Sequence, residues 1–271
     1  MKRTVLVTGA LGNIGAKFAA HNAATGAYDL RLLDQRPGDG VIVADLGVWD
    51  ETWAARFAGV DTVLHLAGDP RGVASWAEVM HANVHGTQNV LRAARAAGVR
   101  RVVFASTNQV MLGYRFREGP VTTDMPPAPL SPYGISKLFC EEIGRAFAAE
   151  TGISFIALRI GYFQRGDNLP GAHMEIGAWG QSMWLSNADM MRALTAAIEA
   201  ENVPFAVVNL ESANEGMRWD MEHTRQTIGF VPQDHAVPVM GPANLAMDEK
   251  ASAVRVAPGT WLNEHFHQVK G

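Results

Sequence analysis

The chain has 271 residues, of which 48% are hydrophobic and 18% charged, a balance typical of a globular protein that buries a core without disulfides or metals. Its formal charge of −4 arises from 23 basic and 27 acidic residues with no basic stripe, so a nucleic-acid partner is not expected. The chain has a single cysteine, Cys140, which excludes an intrachain disulfide. It contains no run of roughly 18 apolar residues, so a membrane partner is not expected and we expect a cytoplasmic protein.

Short β-branched runs alternate along the chain with longer helical patterns. The predicted strands are residues 4–8, 29–34, 41–44, 62–66, 101–106, 153–160 and 205–210, and the main predicted helices are residues 14–24, 73–97, 133–151 and 186–201. The strands are apolar on both faces, as in a parallel sheet covered by helices. This alternation predicts an α/β protein with a Rossmann-type, doubly wound parallel sheet.

The turn after the first predicted strand reads Gly9-Ala10-Leu11-Gly12-Asn13-Ile14-Gly15. Glycines allow a tight turn and a close backbone approach to a pyrophosphate, and the following helix offers its first amides to the phosphates. Three glycines alone are a weak signal, but their position between a strand and a helix is the one a dinucleotide site requires. We therefore expect a nicotinamide cofactor here.

The residue at the end of the second predicted strand bears on which cofactor binds. Asp34 follows Gly15 by 19 residues, where a carboxylate accepts the adenosine ribose hydroxyls and repels a 2′-phosphate. This favours NAD over NADP, whereas the neighbouring Arg36 leaves NADP open and a simple turn cap is the alternative role for Asp34. Further contacts are expected at the next strand ends, from Asp45-Leu46 and from Leu66-Ala67-Gly68.

A tyrosine and a lysine four residues apart, Tyr133 and Lys137, lie at the start of a predicted helix, where they share one face. A phenol has an ordinary pKa of about 10, and a nearby ammonium is expected to lower it toward the range of a general base. The fifth strand ends in Ser106-Thr107-Asn108, which supplies a hydroxyl donor. Together these residues predict an oxidoreductase acting on a hydroxyl group.

These motifs resemble the extended short-chain dehydrogenases/reductases, in the NAD-dependent epimerase/dehydratase family. Within that family the likeness is greatest to the sugar dehydrogenases, uronate dehydrogenase and a haloarchaeal NAD-dependent glucose-6-phosphate dehydrogenase. The further segments that carry it are residues 65–71, 83–90, 104–108, 159–161, 183–186 and 259–261. The resemblance implies oxidation of a pyranose C1 hydroxyl to a lactone.

The resemblance also assigns residues to roles, with no metal. The cofactor-binding set is Gly9, Gly12, Asn13, Ile14, Gly15, Asp34, Gln35, Asp45, Leu46, Leu66, Ala67, Gly68, Asn83, Ala105, Tyr133, Lys137 and Ile160. The substrate set is Asp69, Arg71, Thr107, Asn108, Gln109, Tyr162 and Trp261. In the implied mechanism Tyr133 accepts the proton, and Thr107, with Ser106 as second choice, hydrogen-bonds the reacting oxygen. Lys137 lowers the phenol pKa and holds the nicotinamide ribose.

Residues 1–160 are expected to form the NAD-binding Rossmann domain. The periodicity loosens afterwards, so residues 161–271 are expected to form a small substrate-binding lobe interleaved with the end of the sheet. The family further implies a homodimer or higher homo-oligomer, formed through the two long helices 73–97 and 133–151.

Three departures bear on the substrate. Gln109 stands where the relatives carry histidine, Tyr162 replaces a small residue, and residues 171–181 hold no arginine for a sugar carboxylate. A neutral hexose, a hexose phosphate, a sulfo-sugar and a uronate all remain open, with Arg71 and Arg165 as candidate anion contacts. The alternatives to a sugar dehydrogenase are a nucleotide-sugar epimerase/dehydratase or other alcohol or ketone oxidoreductase, and a non-catalytic NAD(H)-sensing protein.

Overall fold

A computed structural model of the chain describes residues 2–256. Its centre is a parallel sheet of seven strands in the order β3-β2-β1-β4-β5-β6-β7, which confirms the predicted doubly wound fold. The strands are β1 (Thr4–Thr8), β2 (Asp29–Asp34), β3 (Val41–Val43), β4 (Thr62–His65), β5 (Arg101–Thr107), β6 (Ser154–Ile160) and β7 (Phe205–Leu210). Every predicted strand is present, and β5 extends one residue further than expected, to Thr107.

The helices cover both faces of the sheet. They are α1 (Asn13–Thr25), α2 (Glu51–Ala54), α3 (Trp76–Val79), α4 (Gly86–Ala97), α5 (Pro132–Thr151), α6 (Gly177–Gln181), α7 (Asn187–Glu199), α8 (Glu222–Ile228) and α9 (Pro242–Val256), with 3₁₀ helices at Ala55–Phe57 and Asn108–Phe116. None of the helices within residues 2–256 is long and apolar enough to cross a membrane.

Two apolar cores lie on opposite faces of the sheet. One joins Phe18 of α1 and Leu194 of α7 to strand residues such as Leu158. The other packs Phe147 of α5 against Phe104 and neighbouring strand residues. Because successive strand side chains point to opposite faces, every strand except β3 contributes to both cores, which explains why these runs are apolar throughout.

The predicted single helix over residues 73–97 is wrong in detail. Helix α3 begins at Trp76 after a capping box, in which the Ser75 hydroxyl accepts from the Glu78 amide and the Glu78 carboxylate accepts from the Ser75 amide at 2.7 Å. A π-helical segment, Met80–His85, then separates α3 from α4. Such segments insert an extra residue into a turn and are frequent at functional sites. Here the π-helical segment carries Asn83.

Candidate active site

The turn between β1 and α1 has room only for glycine at its critical positions. Gly9 adopts a φ of +67°, and a Cβ atom added there would lie 2.8 Å from the Ala67 nitrogen. A Cβ atom at Gly15 would lie 2.4 Å from the Gly9 carbonyl oxygen. Helix α1 follows Gly12, which has no side chain to cap its first amides. The turn and the helix start therefore fit a cofactor pyrophosphate.

The next two predicted residues of this turn have structural contacts. The Asn13 amide donates to the carbonyl oxygens of Phe163 at 3.3 Å and Gln164 at 2.9 Å, which holds the segment after β6 beside the start of α1. Ile14 is partly buried against the core on this face of the sheet. Exposed Arg165 therefore follows a segment tied to the phosphate-binding turn.

Asp34 is buried at the end of β2 and faces the glycine turn. One carboxylate oxygen accepts from the Leu11 amide at 2.9 Å, and the other accepts from the Arg36 amide at 3.0 Å. The Arg36 guanidinium also contacts Asp34, at 3.3 Å, and its side chain stays 57% exposed. The carboxylate thus lies where adenosine ribose hydroxyls are expected. Gln35 is exposed beside it.

Asp45 and Leu46, the predicted contacts after β3, are held by the π-helical segment and α4. The exposed Asp45 carboxylate lies 3.1 Å from His81 Nε2, and the Leu46 carbonyl accepts from the Asn89 amide at 2.8 Å. The sequence patterns do not single out His81 as a residue of the site.

The tip of β4 is tied to β1 and α4 through a buried histidine. His65 Nδ1 lies 2.7 Å from the Thr8 hydroxyl, and Nε2 lies 3.1 Å from the Thr87 hydroxyl. Burial and the Lys137 charge lower the His65 pKa to about 3, so the imidazole is neutral and bridges two hydroxyls. The Thr8 hydroxyl also accepts from the Ala67 amide at 3.2 Å, which fixes the chain directly after Leu66.

Asn83 connects this strand tip to the helix that carries the tyrosine. Its side-chain oxygen accepts from the Asp69 amide at 2.7 Å, and its amide donates to the Ser136 hydroxyl at 2.9 Å. Gly68, at a φ of +150°, passes so close that an added Cβ atom would lie 2.6 Å from the Asn83 oxygen and 3.4 Å from Lys137 Nζ. The predicted residues of β4, the π-helical segment and α5 therefore meet.

Tyr133 and Lys137 lie buried on the side of α5 that faces the sheet. The helix begins after Ser131, whose hydroxyl accepts from the Gly134 amide at 3.1 Å, with Pro132 in the first turn. The Tyr133 hydroxyl is hydrogen-bonded to Thr107 at the end of β5. Lys137 Nζ donates to the Ala105 carbonyl at 2.8 Å. Ile160, the last residue of β6, pairs in register with Thr107.

The expected lowering of the phenol pKa by Lys137 is not what this structure gives. Burial raises the pKa of Tyr133 to about 12, with the Asp69 charge acting in the same direction and the Thr107 hydrogen bond opposing both. Burial also lowers the Lys137 pKa to about 8, against the Cys140 and Glu141 charges. Because both groups are buried, the effect of desolvation on their pKa values outweighs the expected attraction between the phenolate and the ammonium.

The second-choice hydroxyl, Ser106, points away from the phenol. It donates to the Glu141 carboxylate at 2.5 Å, on the opposite face of β5 from Thr107. The assignment of Ser106 as a donor to substrate is therefore corrected, and Thr107 remains the hydroxyl beside Tyr133. Sequence reasoning had not considered Glu141, although it follows Lys137 by four residues.

The predicted substrate residues differ in how deeply they are buried around Tyr133 and Thr107. Exposed Arg71 is bound by two carboxylates, those of Asp69 and, at 2.6 Å, Glu78. The Asn108 amide is buried 2.7 Å from the Met183 sulfur, and the Gln109 side-chain oxygen accepts from the Ser131 hydroxyl at 3.3 Å.

Tyr162 extends the same edge of the sheet beyond β6. It is 38% exposed and forms an isolated parallel bridge with Trp184. Trp261 lies outside the described residues. Within residues 2–256, no three histidine, cysteine or acidic side chains converge as metal ligands would.

Comparisons with known proteins identify the family. A sequence profile of the NAD dependent epimerase/dehydratase family matches residues 5–163. L-arabinose 1-dehydrogenase (NAD(P)(+)) of Haloferax volcanii is 34% identical over 253 residues, which are 87% of this chain and 98% of the relative. The NAD-dependent glucose-6-phosphate dehydrogenase of the same organism is also 34% identical, over 87% of this chain and 95% of the relative.

A solved structure gives the same result. The chain superposes on uronate dehydrogenase of Agrobacterium tumefaciens, in a tyrosine-to-alanine mutant complexed with NAD, with a TM-score of 0.74 and 26% identity. The match covers 93% of this chain and 90% of that structure. The resemblance seen in the motifs is confirmed: the chain belongs to the NAD-dependent epimerase/dehydratase family, with NAD as its cofactor.

Proposed function

We propose that this protein oxidises the C1 hydroxyl of a pyranose sugar to the lactone, with NAD as the hydride acceptor. The observation that carries the proposal is the meeting of Tyr133, Thr107 and Lys137 at the carboxyl edge of the sheet, the edge that holds the glycine turn. The proposal is supported by relatives named for sugar oxidation, an L-arabinose and a glucose-6-phosphate dehydrogenase.

Each residue of the cluster has a defined role in this reaction. When bound, NAD supplies the carbon that accepts the hydride, while the protein orients the reactants and moves the proton. The Tyr133 phenolate oxygen accepts the proton of the C1 hydroxyl, and the Thr107 hydroxyl holds that same substrate oxygen by a hydrogen bond. Lys137, fixed by the Ala105 carbonyl, holds the nicotinamide ribose and contributes a positive charge.

A neutral aldose is the substrate class that the charges favour. The guanidinium of Arg71 is compensated by both Asp69 and Glu78, so this corner of the site offers no net positive charge to an anionic sugar. Gln109 is uncharged as well, and residues 171–181 contain no arginine. A sugar phosphate or uronate would lose the charge-assisted hydrogen bonds that usually recognise such groups.

The remaining parts of the chain have proposed roles too. Residues 161–271 serve as the substrate lobe, and a second copy of the chain covers the exposed apolar side chains of Trp76, Met80 and Phe139, which are 45%, 39% and 51% exposed. The buried free thiol of Cys140 suits a cytoplasmic location. The proposed dimer is tested by measuring the molar mass of the wild type and of Trp76→Glu by light scattering. A monomeric wild type would exclude the dimer.

The activity is tested by mixing purified protein with NAD and a panel of sugars and following NADH absorbance. The panel contains L-arabinose, D-glucose, D-galactose, glucose 6-phosphate and glucuronate. We expect NADH with a neutral aldose and none with the Tyr133→Phe variant. The matched control is Tyr28→Phe, which should keep wild-type turnover. Tyr28 is buried and directly precedes β2, so it lies at the amino ends of the strands, away from the proposed site.

Other outcomes of this assay would replace the proposal. Interconversion of a nucleotide sugar without net NADH would identify an epimerase. Tight NAD binding with no turnover of any sugar would favour a sensor.

A further inference from the structure

A buried carboxylate extends the catalytic face of α5. Glu141 follows Lys137 by four residues and Tyr133 by eight, and residues at this spacing share one side of a helix. The Glu141 side chain is 1% exposed and Lys137 is 4% exposed. The helix side that faces the sheet therefore carries a phenol, an ammonium and a carboxylate in consecutive turns.

The carboxylate binds two adjacent strands at once. Arg159 of β6 donates to both of its oxygens, from Nε at 3.0 Å and from Nη2 at 2.8 Å, and Ser106 of β5 donates to one of them at 2.5 Å. Arg159 and Ser106 are register partners in the sheet. The next register pair joins Thr107 to Ile160, so the Glu141 contacts lie one residue below the hydroxyl that meets the phenol.

Stability alone does not account for this arrangement. Transferring a charge pair from water into the protein interior costs about as much free energy as the attraction between the two charges returns. Proteins in which such a pair is replaced by apolar residues of similar size are often equally stable. A bidentate arginine–carboxylate pair does, however, fix the relative position of the two elements that carry it, because the fork accepts only a narrow geometry. Here those elements are α5 and the tips of β5 and β6.

We propose that Glu141 and Arg159 are positioning residues, which hold α5 against β5 so that the Tyr133 phenol meets the Thr107 hydroxyl and Lys137 meets the Ala105 carbonyl. Both side chains are buried, at 1% and 3% exposure, so the inference assigns neither of them a contact with the substrate or the cofactor. The inference rests on the proposed function, because the contacts it maintains are those assigned to proton transfer and ribose binding.

The carboxylate also acts on the charge of Lys137. In the described part of the chain, the ionisable groups that act with Lys137 are Cys140 and Glu141 from α5 and His65 from β4, and His65 is neutral. Both Cys140 and Glu141 raise the pKa of Lys137 against the effect of burial. Loss of the Glu141 charge also leaves the Arg159 charge uncompensated nearby, so both consequences lower the Lys137 pKa below its value of about 8.

The test compares Glu141→Gln with Arg100→Met. Arg100 binds Asp61 at 2.9 Å before β5 begins, at the opposite edge of the sheet, so it serves as the control for loss of a charge pair. We expect Glu141→Gln to lower kcat by about 10- to 100-fold, the scale of a misplacement near 1 Å, with little change in the KM of the sugar. The pH dependence of kcat that reports Lys137 should move to lower pH. Arg100→Met should change neither.

A measurement without turnover keeps this inference separate from the proposed function. NMR titration of ¹³C-labelled lysine reports the ionisation of Lys137 directly, and Glu141→Gln should shift it to lower pH even where no sugar is oxidised. A folded Glu141→Gln protein with the wild-type Lys137 titration and, where turnover is measured, wild-type kcat would overturn the inference. Should this variant fail to fold, the double variant Glu141→Met with Arg159→Leu removes both charges, and the same readouts decide.

Discussion

The Thr107 hydroxyl is hydrogen-bonded to the Tyr133 phenol across the gap between β5 and α5. Among residues 2–256, it is the interaction that lowers the phenol pKa, against burial and the Asp69 charge, which together hold that pKa near 12. A general base must ionise near the working pH, so this hydrogen bond contributes to turnover as well as to orientation. Substitutions that stabilise or destabilise the ionised form of Tyr133 should therefore change the pH dependence of the reaction.

Thr107→Val is expected to move the pH dependence of kcat that reports the Tyr133 phenol to higher pH and to reduce turnover at neutral pH. Loss of the hydrogen bond disfavours the ionised phenol, and valine keeps the shape of the side chain while removing the hydroxyl. We expect a fall of at least about 10-fold, corresponding to about 1.4 kcal/mol of transition-state stabilisation. Thr107→Ser restores the hydroxyl and should restore both rate and profile; an unchanged Thr107→Val profile would contradict the assignment.

Asp69→Asn should have the opposite effect. The carboxylate raises the phenol pKa by repelling the phenolate, so its neutral isostere should move the pH dependence of kcat that reports the phenol to lower pH. The matched control is Glu78→Gln, because Glu78 also binds Arg71 yet is not among the charges that act on Tyr133. A shift to higher pH in Asp69→Asn, or an equal shift in both variants, would show that the charge acts by another route.

Asp34→Ala is expected to weaken the preference for NAD. The carboxylate accepts hydrogen bonds near the glycine turn and also binds Arg36, so its removal takes away the repulsion of a 2′-phosphate and releases a guanidinium beside it. The ratio of kcat/KM for NADP over NAD should rise by at least about 10-fold, or about 1.4 kcal/mol. Asp29→Ala, at the exposed start of β2, should leave the ratio unchanged, and an equal effect in both variants would exclude Asp34 as the determinant.

Sequence patterns predicted the sheet well because a parallel strand buried on both faces reads as a short apolar run, and all seven such runs are strands. They failed where tertiary contacts decide. An alanine-rich pattern does not disclose the π-helical segment that places Asn83, although Ser75 and Glu78 formed a visible capping box. The adjacent hydroxyls of Ser106 and Thr107 could be told apart only once the last residue of β5 was known.

The pKa values and the partners of charged residues could not be predicted from the sequence either. A tyrosine–lysine spacing indicates which side chains share a helix face, whereas burial decides their pKa values, and burial is a property of the folded chain. Glu141 could have been found by extending the spacing of Tyr133 and Lys137 by one turn. Its partner Arg159 could not, because register between strands is not encoded in either segment alone.

Glu211, directly after β7, offers a prediction about stability. Its side chain is fully buried, and neither carboxyl oxygen has a hydrogen-bond partner in the part of the chain that the structure describes. Burial raises its pKa well above the ordinary value, so the folded protein keeps a proton that the unfolded chain releases above about pH 4.3. The stability contributed by this proton is complete below that pH and is lost as the pH rises toward the folded pKa.

Glu211 should therefore make the free energy of unfolding of the wild type fall relative to that of Glu211→Met as the pH rises above about 4.3, by up to about 1.4 kcal/mol per pH unit. Glu211→Met replaces the carboxyl by an apolar group of similar length, so it should remove this slope and be more stable than the wild type at pH 8. Urea unfolding at several pH values measures both quantities. The control, Glu215→Gln, changes an exposed carboxylate in the same segment and should keep the wild-type slope. Parallel pH curves for wild type and Glu211→Met would mean that the buried carboxyl is already ionised in the folded protein.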